Sequence, residues 1–298
     1  KRFVEQPKYS EEQITAISCI LEQLDKVYQP EQRSEEWYQI RNNLLTASDL
    51  ATPLGLNPYS KRGDLVFSKA HCIKSNIGNS PAIIHGVKFE EVAVHIYSQL
   101  NNVVVKEYGC IPHPTLKCFG ASPDGICSAE SGNKDYIGRM LEIKCPKSRP
   151  ITGIIPVHYE LQIQGQLEVC NLNFCDFLEC SFEDYNSLEE FKEDTKTQFK
   201  GAIFEYYNLL ERSNKYIYLY DCEQIEKWIE DNIEKVLVDP NLEISKITYW
   251  KCTTISIVLV KRDKERFQSY VPIIEEFWKD VLKERENPYE EKEKKKLY

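Results

Sequence analysis

The feature that most restricts this chain is a pair of short motifs eighteen residues apart. Ser122-Pro123-Asp124-Gly125 is a turn that carries an acid, and Leu141-Glu142-Ile143-Lys144 is a strand that carries Glu-x-Lys. On a strand, residues i and i+2 share a face. Glu142 and Lys144 therefore project side by side, while Leu141, Ile143 and Cys145 turn to the core. A hairpin brings Asp124 beside Glu142. Two carboxylates and an ammonium on one solvent-facing patch suit a hard divalent cation such as Mg²⁺. Such an ion takes one or two carboxylates and keeps waters and substrate phosphate oxygens. It acidifies water and offsets charge on phosphorus, and the lysine can hold or deprotonate that water. Glu-x-Lys alone is common in solvated salt-bridge ladders; the Pro-Asp-Gly turn before it moves the reading toward chemistry.

Composition sets the frame. The chain has 298 residues, 42% hydrophobic and 29% charged, which excludes a wholly disordered polymer. The length fits two domains or one elaborated α/β domain. The longest apolar run, Ile255 to Val260, is far too short for a membrane span of roughly 20 residues. Net charge is −9, yet residues 41–89 hold six cations (Arg41, Lys61, Arg62, Lys69, Lys74, Lys88) against Asp49 and Asp64. Lys144, Lys147 and Arg149 form a second basic cluster, so a phosphate-tracking face fits within an acidic protein. Eleven cysteines form no CxxC pair, and Cys170, Cys175 and Cys180 do not match zinc spacing. With no secretory pattern read after Lys1-Arg2, they are expected as buried free thiols in a reducing compartment. The five histidines show no metal-binding spacing.

Periodicity predicts helices over 10–29, capped by Ser10 and ended by Pro30, and over 34–44, capped by Ser34. Residues 53–63 read as a loop. Gly86 opens a further helix that Asn101-Asn102 stops, and Ile83-Ile84 before it are read as core, with a wedge that splits a terminal base pair as the alternative. Residues 103–145 read as a β-meander and 174–182 as a strand. Residues 186–212 and 222–237 have helix-like composition. A strand over 255–260, a helix over 271–282 and a charged tail follow. Residues 157–170 are ambiguous, because apolar and polar residues alternate with strand period over a length that favours a helix.

At this point the sequence resembles the PD-(D/E)xK nucleases, and within them the lambda-exonuclease-like (YqaJ-type viral recombinase) proteins of phages and large DNA viruses. Trp37-x-x-x-Arg41 with Thr46-Ala47-Ser48 resembles the family's opening helix and phosphate-binding turn, and Gly86-x-x-x-Glu90 its metal-proximal helix. Ser122-Pro123-Asp124-Gly125 and Glu142-Ile143-Lys144-Cys145-Pro146 match the two central motifs. Tyr159 to Gln164 is similar to the last motif, a Gln on a helix, which makes 157–170 helical. Val258 to Asp263 and Phe277 resemble the final strand and helix.

The resemblance covers 33–182 and 253–286. It implies an α/β restriction-endonuclease-like core, a central mixed β-sheet flanked by helices. Around that core stand an N-terminal helical extension (1–32), an insertion (183–252) and a charged tail (287–298). Asp124, Glu142, the Ile143 carbonyl and Glu90 are implied as ligands of Mg²⁺, two ions for which Mn²⁺ substitutes. Lys144 activates or orients the water, and Gln162 positions Lys144 or the water. Arg41, Ser48 and Ser122 contact DNA or its 5′-phosphate, and Arg149, from the second basic cluster, is grouped with them by its charge. The implied activity is a 5′→3′ exonuclease on double-stranded DNA ends that leaves 5′-phosphate products. Its implied setting is recombination, replication or repair in the cytoplasm or nucleus of a host, with a single-strand annealing protein as partner and a homo-oligomer as one assembly. An endonuclease, another polarity, or a catalytically silent DNA-binding module are the alternatives.

Overall fold

The computed structural model describes residues 6–30, 34–73, 80–220 and 223–287, so Lys74 and most of the charged tail lie outside the described residues. In chain order the elements are α1 (Glu11–Lys26), α2 (Glu35–Asn42), β1 (Leu45–Thr46), α3 (Arg62–Ala70), α4 (Pro81–Asn101), β2 (Val105–Lys106), β3 (Ile111–Pro112), β4 (Phe119–Ala121), β5 (Gly125–Cys127) and β6 (Met140–Lys144). There follow α5 (Val157–Cys170), β7 (Phe174–Asp184), α6 (Leu188–Glu193), β8 (Lys200–Asn208), β9 (Ser213–Leu219), α7 (Ile225–Val238), β10 (Leu242–Lys261) and α8 (Lys264–Arg285).

Local chemistry accounts for the helix starts. Ser10 closes a capping box with Gln13, and Ser34 accepts from the Trp37 N–H, each cap being worth about 1 kcal/mol. The helix that Gly86 was expected to open starts five residues earlier. Ser80 caps it and Pro81 occupies its first turn, where a missing N–H loses no bond. Asn102 ends it in the left-handed region, as its short amide permits.

Seven strands form one mixed sheet in the order β2-β5-β6-β7-β10-β8-β9, and β1, β4 and β3 form a small second sheet. The expected meander over 103–145 is thus divided between two sheets, with the Ser122-Pro123-Asp124 turn at the crossing from β4 to β5. Strands β6 and β7 run parallel, joined by α5 as the crossover, and Glu142 is in register with Phe177. Helix α5 is enclosed almost all round, which explains why its sequence shows no amphipathic stripe. Gly165 lets it in close: a Cβ there would stand 2.9 Å from Phe119 and 3.0 Å from Ala47. Gln164 ties α5 to the end of the sheet, donating to the Lys261 carbonyl and accepting from the Asp263 N–H.

Segment 183–252 does not stand apart from the core. Of its two parts expected to be helical, 222–237 forms α7, while 186–212 holds only the short α6 before strand β8. Strands β8 and β9 and the first half of β10 extend the central sheet, and Trp250 and Lys251 pair with both β7 and β8. This extension grips α4. Lys88 Nζ donates to Glu205 at 3.0 Å and Thr248 at 3.1 Å, and the Tyr218 hydroxyl donates to the Lys88 carbonyl at 2.9 Å. In the middle of the sheet, the fully buried Arg139 holds Asp176 of β7, whose second oxygen accepts the Tyr97 hydroxyl. Every described cysteine is a free thiol, and no described helix is long and apolar enough to cross a membrane.

Candidate active site

Glu142 lies in the middle of β6 with both faces of the strand covered, and its side chain is fully buried. The expectation of a solvent-facing patch is therefore corrected: α5 roofs the face that carries Glu142. A buried carboxylate destabilises the fold unless it is well hydrogen-bonded. Three donors converge on it. Lys144 Nζ bonds Oε1, while Gln162 Nε2 at 2.9 Å and Gln166 Nε2 at 2.7 Å both donate to Oε2. Gln162 thus holds the carboxylate itself; a bond from it to Lys144 is not formed. Gln166 was missed in the sequence. Its signal was the i,i+4 spacing from Gln162, which puts both amides on one face of α5.

Asp124 sits half-buried at the start of β5, and its Oδ2 accepts the Ile143 N–H at 2.6 Å. Burial first, then the negative charges of Glu142 and Glu90, push its carboxyl well above the usual range, against the pull of Lys144. Burial opposes the charge on Lys144, but Glu142 and Asp124 outweigh it and hold the ammonium firmly protonated. The Lys144 Nζ lies 4.7 Å over the Tyr159 ring. Glu90 projects from α4 into the same cleft of about 410 Å³, which Asp124, Ile143, Lys144, Lys147 and Arg149 also line. Ile83, read as core, is exposed on the first turn of α4 and lines this cleft, and Ile84 beside it is exposed too.

The donor set fits a divalent cation. Glu142 Oε1 has one bonded donor and keeps an acceptor position, as does Asp124 beside it, and Glu142 and Glu90 add to Asp124 a negative charge that a cation relieves. Among the described residues no three acid, His or Cys groups cage a metal by themselves. Mg²⁺ does not need such a cage, since it retains waters and phosphate oxygens.

Beside this cluster is a second, cationic one. Arg41, on the last turn of α2, lies 4.4 Å over the Trp37 ring. It donates to Ser122 Oγ at 3.3 Å, Ser48 Oγ at 3.2 Å and Thr46 Oγ1 at 3.5 Å. Burial raises the Asp49 carboxyl, but Lys69 and Arg41 outweigh it and hold it below the usual range. Arg41 and three hydroxyls thus form a polar pocket, and Ser122 is two residues from Asp124. Arg149 is placed elsewhere. It lines the cleft on the Lys144 side, 2.5 Å from the buried Glu179, and does not join Arg41.

Residues 36–173, which hold both clusters, match the family described as the YqaJ-like viral recombinase domain. Over this segment the chain is similar to that family. A protein of Acanthamoeba polyphaga mimivirus is 32% identical over 311 residues, covering 92% of this chain and 56% of that protein. A protein of African swine fever virus is 33% identical over 159 residues, covering 46% of each. The chain spans about half the length of these relatives. A crystal structure of an alkaline exonuclease (LHK-Exo) from Laribacter hongkongensis is 18% identical, with a TM-score of 0.48 over 89% of this chain and 100% of that one. The family match ends just before β7, so the strands of 183–252 lie outside it.

Proposed function

We propose that the chain is a Mg²⁺-dependent DNA exonuclease that degrades duplex ends in the 5′→3′ direction and releases 5′-phosphate products. The convergence of Asp124 and Lys144 in one cleft, with the buried Glu142 bonded to Lys144 and the Arg41 pocket joined through Ser122, carries this reading. The recombinase-domain match supports DNA as substrate.

Asp124, Glu142 and the Ile143 carbonyl would hold the cation, with Glu90 across the cleft available to a second ion. When bound, a divalent cation there would acidify the attacking water and offset charge gathering on phosphorus. The reaction is in-line displacement by water, which breaks the bond to the 3′-oxygen and leaves a 3′-hydroxyl and a 5′-phosphate. Lys144 acts as a fixed ammonium that donates to the attacking water or to the phosphate, preorganised by Glu142. Gln162 keeps the Glu142 carboxylate in one orientation. Arg41 offers several N–H donors to a terminal 5′-phosphate, with Ser48 and Ser122 adding hydroxyls. Exposed Ile83, which lines the cleft, would press on the terminal base pair. A role in viral recombination, replication or repair, with a single-strand annealing protein and in a homo-oligomer, completes the proposal.

The test is a duplex labelled at either end, incubated with and without Mg²⁺. Mononucleotides should leave from the 5′ end only in Mg²⁺. Absence of cleavage in Mg²⁺ and Mn²⁺, or preferential cutting of closed circular DNA, overturns the exonuclease reading.

A further inference from the structure

Gln166 is one turn beyond Gln162 on α5 and 1% exposed, and it touches both halves of the site. Its Nε2 donates to Glu142 Oε2 at 2.7 Å and to the Ser122 carbonyl at 3.3 Å. Both partners are acceptors, so chemistry fixes the orientation of the amide: the nitrogen, with its two hydrogens, faces them. Oε1 faces away and is buried without a hydrogen-bond partner among the described residues. Such an orphaned carbonyl destabilises a fold. That cost offsets part of what the two donated bonds contribute, so stability alone does not account for the placement of Gln166.

What the placement does is join two sites. Arg41 donates to Ser122 Oγ, the Ser122 carbonyl accepts from Gln166, and Gln166 donates to Glu142. Gln162 bonds the same carboxylate oxygen, but of the two glutamines only Gln166 also bonds Ser122. We infer that Gln166 is a positioning residue that couples occupancy of the Arg41–Ser48–Ser122 pocket by a terminal 5′-phosphate to the alignment of the Glu142 carboxylate. A phosphate drawing on Arg41 and the Ser122 hydroxyl sets the backbone at residue 122. The second hydrogen of the Gln166 amide then has a fixed partner, and the first is aimed at Glu142. The inference rests on reading that pocket as a 5′-phosphate site.

The experiment compares wild type, Gln166→Leu and Gln162→Leu on two duplexes that differ only in a 5′-phosphate or a 5′-hydroxyl. Release rates in Mg²⁺, binding by fluorescence anisotropy in Ca²⁺, and melting midpoints are measured for each protein. Wild type should favour the phosphate duplex at least about tenfold, the scale of one charge-assisted contact. Gln166→Leu should reduce that ratio to below about threefold in rate and in Ca²⁺ binding, with a midpoint lowered by a few degrees, as in Gln162→Leu, because each variant takes one donor from the buried Glu142 carboxylate. Gln162→Leu, which loses a bond to Glu142 alone, should slow both duplexes equally and keep the ratio. Should the leucine variant not fold, Gln166→Met keeps an unbranched chain without the donor. Equal wild-type handling of the two duplexes overturns the 5′-phosphate reading. A wild-type preference that survives intact in a folded Gln166 variant overturns the coupling and leaves that reading standing.

Discussion

The same conservative change at the two carboxylates should move stability in opposite directions. In Glu142→Gln the new amide meets three donors: its oxygen can serve Gln162 and Gln166, but its NH₂ then faces the Lys144 ammonium. One charge-assisted bond is lost in a fully buried place, which destabilises by about 1.5–3 kcal/mol. Unfolding entropy of about 2.1 cal/mol/K per residue amounts to roughly 0.6 kcal/mol/K for this chain, so the midpoint should fall by about 2–5 °C. Asp124 is the reverse case. It has one neutral backbone donor and two carboxylates that repel it, and its folded carboxyl holds a proton well above the ordinary range. A raised acid favours the folded state at low pH, and that contribution is lost as pH climbs from the unfolded value through the folded one. Asp124→Asn escapes that loss. In chelator its midpoint should match wild type near pH 4 and exceed it at pH 7.5. Ca²⁺ should then raise the wild-type midpoint and leave that of Asp124→Asn nearly unmoved. Both variants should be inactive on DNA. Thermal melts at the two pH values, with and without Ca²⁺, decide the matter. An Asp124→Asn protein less stable than wild type at neutral pH without metal, or a Glu142→Gln protein more stable, would refute the reasoning.

Further outcomes follow from the same geometry. Lys144→Ala should lower the single-turnover rate by about 10²–10⁴ while Ca²⁺ affinity changes little; lost metal binding without a defect in the chemical step would make Lys144 a structural ion pair. Arg41→Ala should remove the advantage of a 5′-phosphate, about ten- to a hundredfold in rate, and leave cleavage of the 5′-hydroxyl duplex within a few fold, as measured on paired substrates. Arg139→Met strands the buried Asp176 carboxylate with the Tyr97 hydroxyl and should destabilise by about 3–5 kcal/mol, or roughly 5–8 °C in midpoint, and replacing Asp176 with Asn in the same chain should restore part of it.

The central chemistry was readable because a strand has a period of two. Glu142 and Lys144 share a face wherever β6 lies, and the structure keeps them bonded. The burial of that face was not readable, because its roof is α5, a helix enclosed almost all round whose own pattern imitates a strand. For the same reason Gln166 passed as one polar position among four alternating ones. Arg41, Ser48 and Ser122 were named through resemblance, and the structure brings them together; Arg149 was grouped with them by charge alone, and the carboxylate of Glu179 holds it elsewhere. Strand β8 was hidden because Lys200 and Glu205 are residues common in helices. Lys88 and Glu205 show why composition misleads there: both are charged, and they pair in the interior between α4 and the sheet.

The sharing of β10 also governs what evolution or an engineer can do with residues 183–252. A cassette hung on a loop can be excised by rejoining its two ends. Here the return path is a single 20-residue strand whose last half is the neighbour of β7 and whose first half belongs to the added hairpin. Cutting the segment at residue 252 would amputate that strand midway and strip β7 of part of its partner. The added strands also carry the sheet's open rim outward, from beside β10 to β9, where Lys215 and Glu211 supply charge against stray strand pairing. Shortening the segment should therefore change solubility before it changes the chemistry of the cleft.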